Sequence, residues 1–250
     1  MTGALRALSL PLSALGEPGA AMDVAGARHP AGAVTGLLLL TCGLGALSLP
    51  RLLVLLAATL APAGSPLVAA HAAALHDGLV RYVVVDRLLP PPPLLVAALL
   101  VAVVATPVLA GRRVSARAVW GVLAVGAAPL VVQRLGELLV VWSTPADGLV
   151  AGDVVGLAAR FNVGLAGVLG AAGQAPDGAL GVVADAANAT GLWVVALWGW
   201  GLARLDRDAA RGSSGPVLWP FVVSAAAYAA GYAAYAVGLP YYLMVVMGVP

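Results

Sequence analysis

Apolar positions in this chain gather into long unbroken runs, and the polar residues between them are short Arg-bearing or Pro-rich loops. Five runs predict membrane-crossing helices: about Ala31 to Leu49, ending at Pro50-Arg51; about Leu94 to Ala110, after Pro90 to Pro93; about Ala118 to Trp142; about Ala189 to Ala203; and about Val217 to Leu239, ending at Pro240. A helix needs roughly 20 apolar residues, at about 1.5 Å rise each, to cross about 30 Å of hydrocarbon. The fourth run is short by that measure. Helices are expected because they satisfy their own backbone hydrogen bonds in lipid. A β-barrel would need short alternating strands instead. The predicted fold class is all-α: a polytopic membrane helix bundle over residues 31–250, behind a cytoplasmic segment of residues 1–30. In that first segment Leu5, Leu8, Leu12 and Leu15 recur at helical spacing and predict a short helix lying on the membrane surface.

Composition agrees with the pattern. Of 250 residues, 62% are hydrophobic and 10% charged, too few charges to coat a globular surface. All 13 basic residues are Arg; with the abundance of Ala, Gly, Val and Pro this implies a GC-rich prokaryotic genome. A net charge of +2 does not point to nucleic acid. The Arg positions instead set orientation. Arg112, Arg113 and Arg117 join the second and third runs; Arg204, Arg207 and Arg211 join the fourth and fifth; Arg6 and Arg28 precede the first. With five crossings all three groups fall on the cytoplasmic side, as the positive-inside rule expects. The N-terminus is then cytoplasmic and the C-terminus outside. Trp142, Trp193, Tyr241 and Tyr242 fall near the outer interface in this arrangement, and Trp120, Trp200 and Trp219 near the inner one.

Two further apolar segments compete. Leu52 to Ala74 is interrupted by Pro62, Gly64 and Pro66, and Val154 to Gly173 contains Arg160, Asn162 and several glycines. Both are expected as outer-face amphipathic or re-entrant helices, with stripes at Leu75, Leu79, Tyr82 and Val83 and at Leu157, Phe161, Leu165 and Val168. Were one of them to cross, six spans with an external N-terminus would result.

Candidate chemistry is sparse. Gln133, Arg134 and Glu137 lie within the third run, and Arg134 and Glu137 share a helix face at a spacing that allows pairing. A charge near the bilayer centre costs on the order of 2.5–3.5 kcal/mol on insertion scales. The group is therefore either a structural ion pair or a polar site for a substrate or proton. His71, His76 and Asp77 do not form a metal-ligand pattern, since the two histidines lie on different helix faces. The single cysteine, Cys42, excludes an internal disulfide and a multi-cysteine metal site. Asn188-Ala189-Thr190 matches a glycosylation sequon by chance. In the fifth run, Tyr228, Tyr232 and Tyr235 line one face; Ala226, Ala230 and Ala234 line another, with Ala227 and Gly231 beside them. Small residues four apart let helices approach closely, either within the bundle or against another subunit. There is no phosphate loop, no His-Glu-x-x-His and no Gly-x-Ser-x-Gly, so neither an enzyme nor a cofactor is expected. The expected partners are lipids and other membrane subunits.

Three local patterns, in order, resemble the Yip (Ypt-interacting protein) family of five-span membrane proteins. Leu10-Pro11 with Leu15 is similar to the family's Leu-x-Pro helix ahead of the first span. The run VLAVGAAPLVV, with Gly126 and Pro129, resembles its Gly-Tyr-x-x-x-Pro stretch, with Ala127 where Tyr is frequent. The run LWVVALWGWGL, with Trp193, Leu197 and Gly201, resembles its Trp-x-x-x-Leu-x-x-x-Gly span. The resemblance implies five spans, an inside N-terminus and a short external C-terminus. Eukaryotic members act in vesicle traffic and contact small prenylated GTPases; some prokaryotic relatives are associated with ABC exporters. It implies no catalytic residues. The expected function is a non-enzymatic accessory or scaffold subunit of a larger membrane complex, associated with an ABC-type exporter. The alternative is a stand-alone transporter or channel with Gln133, Arg134 and Glu137 on its path.

Overall fold

The computed structural model describes residues 2–27, 31–59, 66–88, 100, 102–104, 115–147, 149–150, 153–154, 157, 164–174, 178–210 and 218–246. Among these the architecture is helical without strands. Two short helices, α1 (Thr2–Gly16) and α2 (Pro18–Ala27), precede a long one, α3 (Ala31–Ala58). Then come α4 (Pro66–Leu88), α5 (Ala116–Gly126) and α6 (Pro129–Ser143). A pair of short helices, α7 (Leu165–Ala171) and α8 (Gly178–Ala186), leads into α9 (Ala189–Ala210) and α10 (Leu218–Val246).

Local chemistry accounts for several boundaries. The Ser115 side chain caps α5 by accepting the Ala118 N–H at 3.3 Å. Pro129 has no N–H to return to Val125, so the chain breaks at Ala127–Ala128 and the Val125 carbonyl takes the Ala128 N–H at 3.2 Å. Pro129 then serves at the first turn of α6, where no N–H is needed. Asn188 begins α9: its Oδ1 accepts the Gly191 N–H at 2.7 Å while its amide donates to the Asp185 carbonyl at 2.8 Å. The sequon asparagine is thus a buried helix cap.

Contacts fix the relative directions. Trp142 Nε1 donates to the Leu47 carbonyl at 3.2 Å and Arg51 Nη2 to the Thr144 carbonyl at 2.6 Å, so α3 and α6 run in parallel. Trp198 packs on Gly126 and Gly201 on Val122, so α9 opposes α5. Gly199 meets Phe221 and Gly191 meets Tyr228, so α10 opposes α9 and parallels α3 and α6. Arg87 abuts Gly45, and Cys42 Sγ donates to the Leu88 carbonyl at 3.0 Å, so α4 runs back down α3.

Among the described residues, three helical stretches are long and apolar enough to cross a membrane: Ala31–Ala58, Ala116–Ser143 (α5 and α6 together) and Leu218–Gly238. Leu180–Ala186 with Ala189–Leu205 would make a fourth, bent by 74°. This differs from five uniform runs in specific ways. The first helix does not stop at Pro50 but continues to Ala58. Pro50 lies inside this helix, and Trp142 Nε1 donates to the neighbouring Leu47 carbonyl. Leu52 to Ala74 is therefore not one element; its first part is α3 and its last part opens α4. The fifth helix likewise passes Pro240 and reaches Val246. The run Leu94 to Ala110 lies largely outside the described residues, as do Arg112 and Arg113.

In α1, among the residues whose side chains are described, Pro11 and Ala14 are buried, Leu10 and Leu15 pack beside the core and Leu12 is 43% exposed; the side chains of Leu5 and Leu8 lie outside the described residues. One amphipathic stripe also differs. Leu157 is buried with Leu52, Leu55, Leu56, Val83, Val141 and Val154, whereas Leu165 and Val168 are exposed on α7. The non-helical Gly164 separates them, so no single helix carries that stripe. Phe161 lies outside the described residues. In α4, Leu79, Tyr82 and Val83 do pack into this second cluster.

Candidate functional site

The polar residues of the third run sit at a junction of three helices. Gln133, Arg134 and Glu137 lie on one face of α6, and Arg134 and Glu137 are buried. Glu137 Oε2 accepts from Arg134 Nη1 at 2.7 Å and from Arg87 Nη1 at 2.6 Å, while its Oε1 accepts from Gln133 Nε2 at 2.8 Å. Arg87 also pairs with Asp86 at 3.0 Å, and the Tyr235 hydroxyl of α10 donates to Asp86. Arg134 Nη2 donates to the Asp86 carbonyl at 3.0 Å. Two guanidinium groups thus face two carboxylates, and the formal charge sums to zero.

The position of this network follows from the backbone. Gly45 of α3 presents no Cβ, which lets the Arg87 carbonyl approach α3 directly. The last turn of α4 therefore ends against the middle of α3. Its carbonyls, left without helical partners, are taken by Arg134 at Asp86 and by Cys42 at Leu88. A guanidinium also suits the negative end of a helix dipole. One atom is left over: Arg87 Nε is buried without a hydrogen-bond partner. Tyr82, on α4 outside the candidate spans, has its pKa raised by burial and by Asp86, against a smaller lowering by Arg87.

Sequence reading placed Gln133, Arg134 and Glu137 but missed Asp86, Arg87 and Tyr235 as their partners. The signal was the adjacent Asp86-Arg87 pair at the end of an otherwise apolar stretch, which reads locally as the solvated tip of a surface helix.

The tyrosine face of α10 points inward. Tyr228 is 4% exposed and meets Trp198 edge-on at 6.0 Å between ring centroids and Tyr232 at 6.4 Å. Ala227 and Gly231 are buried beside it. Ala226 and Ala234 are exposed and Ala230 is half-buried, so that row turns away from the bundle. Gly191 lies against Tyr228, ten residues or about 15 Å into α10, so α9 begins near mid-height on its neighbour. Trp193 consequently sits well below Trp142 rather than in one belt with it. Among the described residues no group of His, Cys, Asp and Glu is placed to hold a metal.

No family model, no curated protein and no solved structure matches this chain. Fold and surface nevertheless define its class. Long apolar helices expose Leu39, Leu47, Val54, Leu139, Leu192 and Val237, each more than half accessible, around a buried charge network. This is the surface of a helical membrane protein.

Proposed function

We propose that this chain is a non-enzymatic membrane subunit that holds a larger membrane complex together, crossing five times with a cytoplasmic N-terminus and an external C-terminus. The observation carrying this reading is the closed charge balance at Asp86, Arg87, Arg134 and Glu137. A balanced, mutually hydrogen-bonded network fixes α4, α6 and α10 in register and offers no net charge to a cargo. The outward row Ala226, Ala230 and Ala234 supports a further helix from a partner subunit, since small residues gain little against lipid. The shared direction of α3 and α6 requires the chain to regain the first end of the bundle between them; α4 returns part-way, and Leu94 to Ala110 is the apolar stretch available to complete a crossing. The Yip-like motifs make an ABC-type exporter the complex to look for. Purification of the tagged chain in native lipid, with mass spectrometry, tests this. A stoichiometric membrane partner containing an ATPase is expected; a partnerless chain that conducts solute in proteoliposomes would overturn it.

A second reading, a transporter in its own right, is supported by one different observation. The end of α4 and the start of α9 both stop part-way along α10, on its tyrosine face. Interrupted helices of this kind mark substrate sites in many transporters. Flux that is lost in Arg134→Gln without loss of folding would favour it.

A further inference from the structure

At the opposite end of the bundle, α2 packs on α5 through buried Ala21 and Met22 and is tied to α9 by one exposed ion pair. Met22 is 3% exposed. Its Sδ lies 3.0 Å from where a Cβ at position 201 would stand, and its Cε 3.3 Å from where one at 126 would. The thioether thus lies against two glycines, one on α5 and one on α9, in a notch that a side chain at either would narrow. A flexible, unbranched side chain suits such a notch. Gly126 is the last residue of α5, immediately before the Ala127–Ala128 break. The knob thus sits at the point where a candidate span is interrupted.

The rim of the notch is polar. Arg204 Nη2 reaches Asp23 at 2.8 Å, and its guanidinium lies 5.5 Å from the Trp200 ring centroid and packs against Gly19. The two ion-paired side chains are 34% and 56% exposed, so salt screens them.

From this geometry we propose that α2 is a conformational catch on the broken span. Docked, Met22 wedges α5 against α9 and holds the angle of the Ala127–Ala128 break. Released, the break can change angle, and α6 carries Arg134 and Glu137 with it. The N-terminal segment is thereby coupled to the charge network about 12–15 Å away along the span, from Ala128 to Glu137. The inference rests on neither functional reading above, because it concerns only how α2 sits on α5 and α9.

The test uses the full chain in lipid nanodiscs with Cys42→Ser as background. Met22→Cys should react slowly with a maleimide, and Ala20→Cys, on the exposed side of α2, quickly. Adding Arg204→Gln or raising salt should speed labelling at position 22 severalfold, up to about fivefold for an exposed ion pair. Combining Asp23→Arg with Arg204→Asp should restore slow labelling. Labelling at position 22 that ignores both salt and Arg204→Gln overturns the proposal. Should Met22→Cys itself undock α2, a short bismaleimide joining Asp23→Cys to Arg204→Cys supplies the second measurement. Closing that link should slow amide exchange across residues 126–131, and unchanged exchange there also overturns the proposal.

Discussion

The carbonyl of Arg87 occupies the space in which a side chain at Gly45 would begin. This backbone-to-backbone approach is what brings an Asp-Arg pair on one helix to a Gln-x-x-x-Glu face on another. It leads to the first prediction. Gly45→Ala should destabilise the chain by about 1–3 kcal/mol, because a packed carbonyl cannot be displaced cheaply. Gly43→Ala, with open space around it, should be neutral or slightly stabilising. Thermal midpoints in one detergent compare the two; equal midpoints would remove Gly45 from the account.

Within the network the cost of substitution should follow the number of partners. Glu137 holds Arg87, Arg134 and Gln133, so Glu137→Gln leaves two buried guanidinium groups with one remaining carboxylate. A loss of about 3–5 kcal/mol is expected. Arg134→Gln should cost less, since Arg87 still neutralises Glu137. Combining the two changes should recover part of the loss. A double variant as unstable as the sum of the singles would mean the groups are not coupled.

Trp198 ties α9 to the break in the third run. Its Nε1 donates to the Leu123 carbonyl at 2.8 Å, and its ring fills the space beside Gly126. Trp198→Phe should cost about 1 kcal/mol for the hydrogen bond plus a packing loss. Gly126→Ala should be worse, because a Cβ there would lie 2.5 Å from Trp198 Cδ1. Wild-type stability in both would place the α5–α9 crossing elsewhere.

The two faces of α10 should respond differently. Gly231 is buried and Ala226 is exposed. Gly231→Leu is expected to destabilise the isolated chain, whereas Ala226→Leu should leave its midpoint unchanged and weaken assembly with a partner. Size-exclusion profiles alongside thermal scans separate the effects. Identical behaviour of the two variants in both assays would refute the division.

Orientation can be read with introduced cysteines in the Cys42→Ser background. Ser115→Cys stands at the end of the bundle bearing Arg117 and should be shielded from an impermeant thiol reagent in intact cells. Asp147→Cys, beyond the C-terminal end of α6, should be labelled. The reverse pattern would invert the proposed topology.

The sequence by itself determined the class. Hydrocarbon tolerates no unpaired backbone groups, so apolar runs in a charge-poor chain must become helices that face lipid. The runs at Ala31, Ala118, Ala189 and Val217 were legible for that reason, as was the shared face of Arg134 and Glu137. Where helices ended was less legible. Proline at position 50 or 240 reads as a stop, yet both helices run on, to Ala58 and Val246, because one lost backbone hydrogen bond does not outweigh the packing of a long apolar helix. Pro129, where the Val125 carbonyl turns to the Ala128 N–H, does make a break. The partners of the charged face were decided by tertiary structure alone. Asp86 and Arg87 lie about fifty residues from Glu137, and nothing in their neighbours signals burial. They meet it because Gly45 lets α4 descend along α3 until its tip reaches α6. The same holds for Met22, an ordinary apolar residue in sequence, which becomes a buried knob because the fold brings Gly126 and Gly201, distant in the chain, to either side of it.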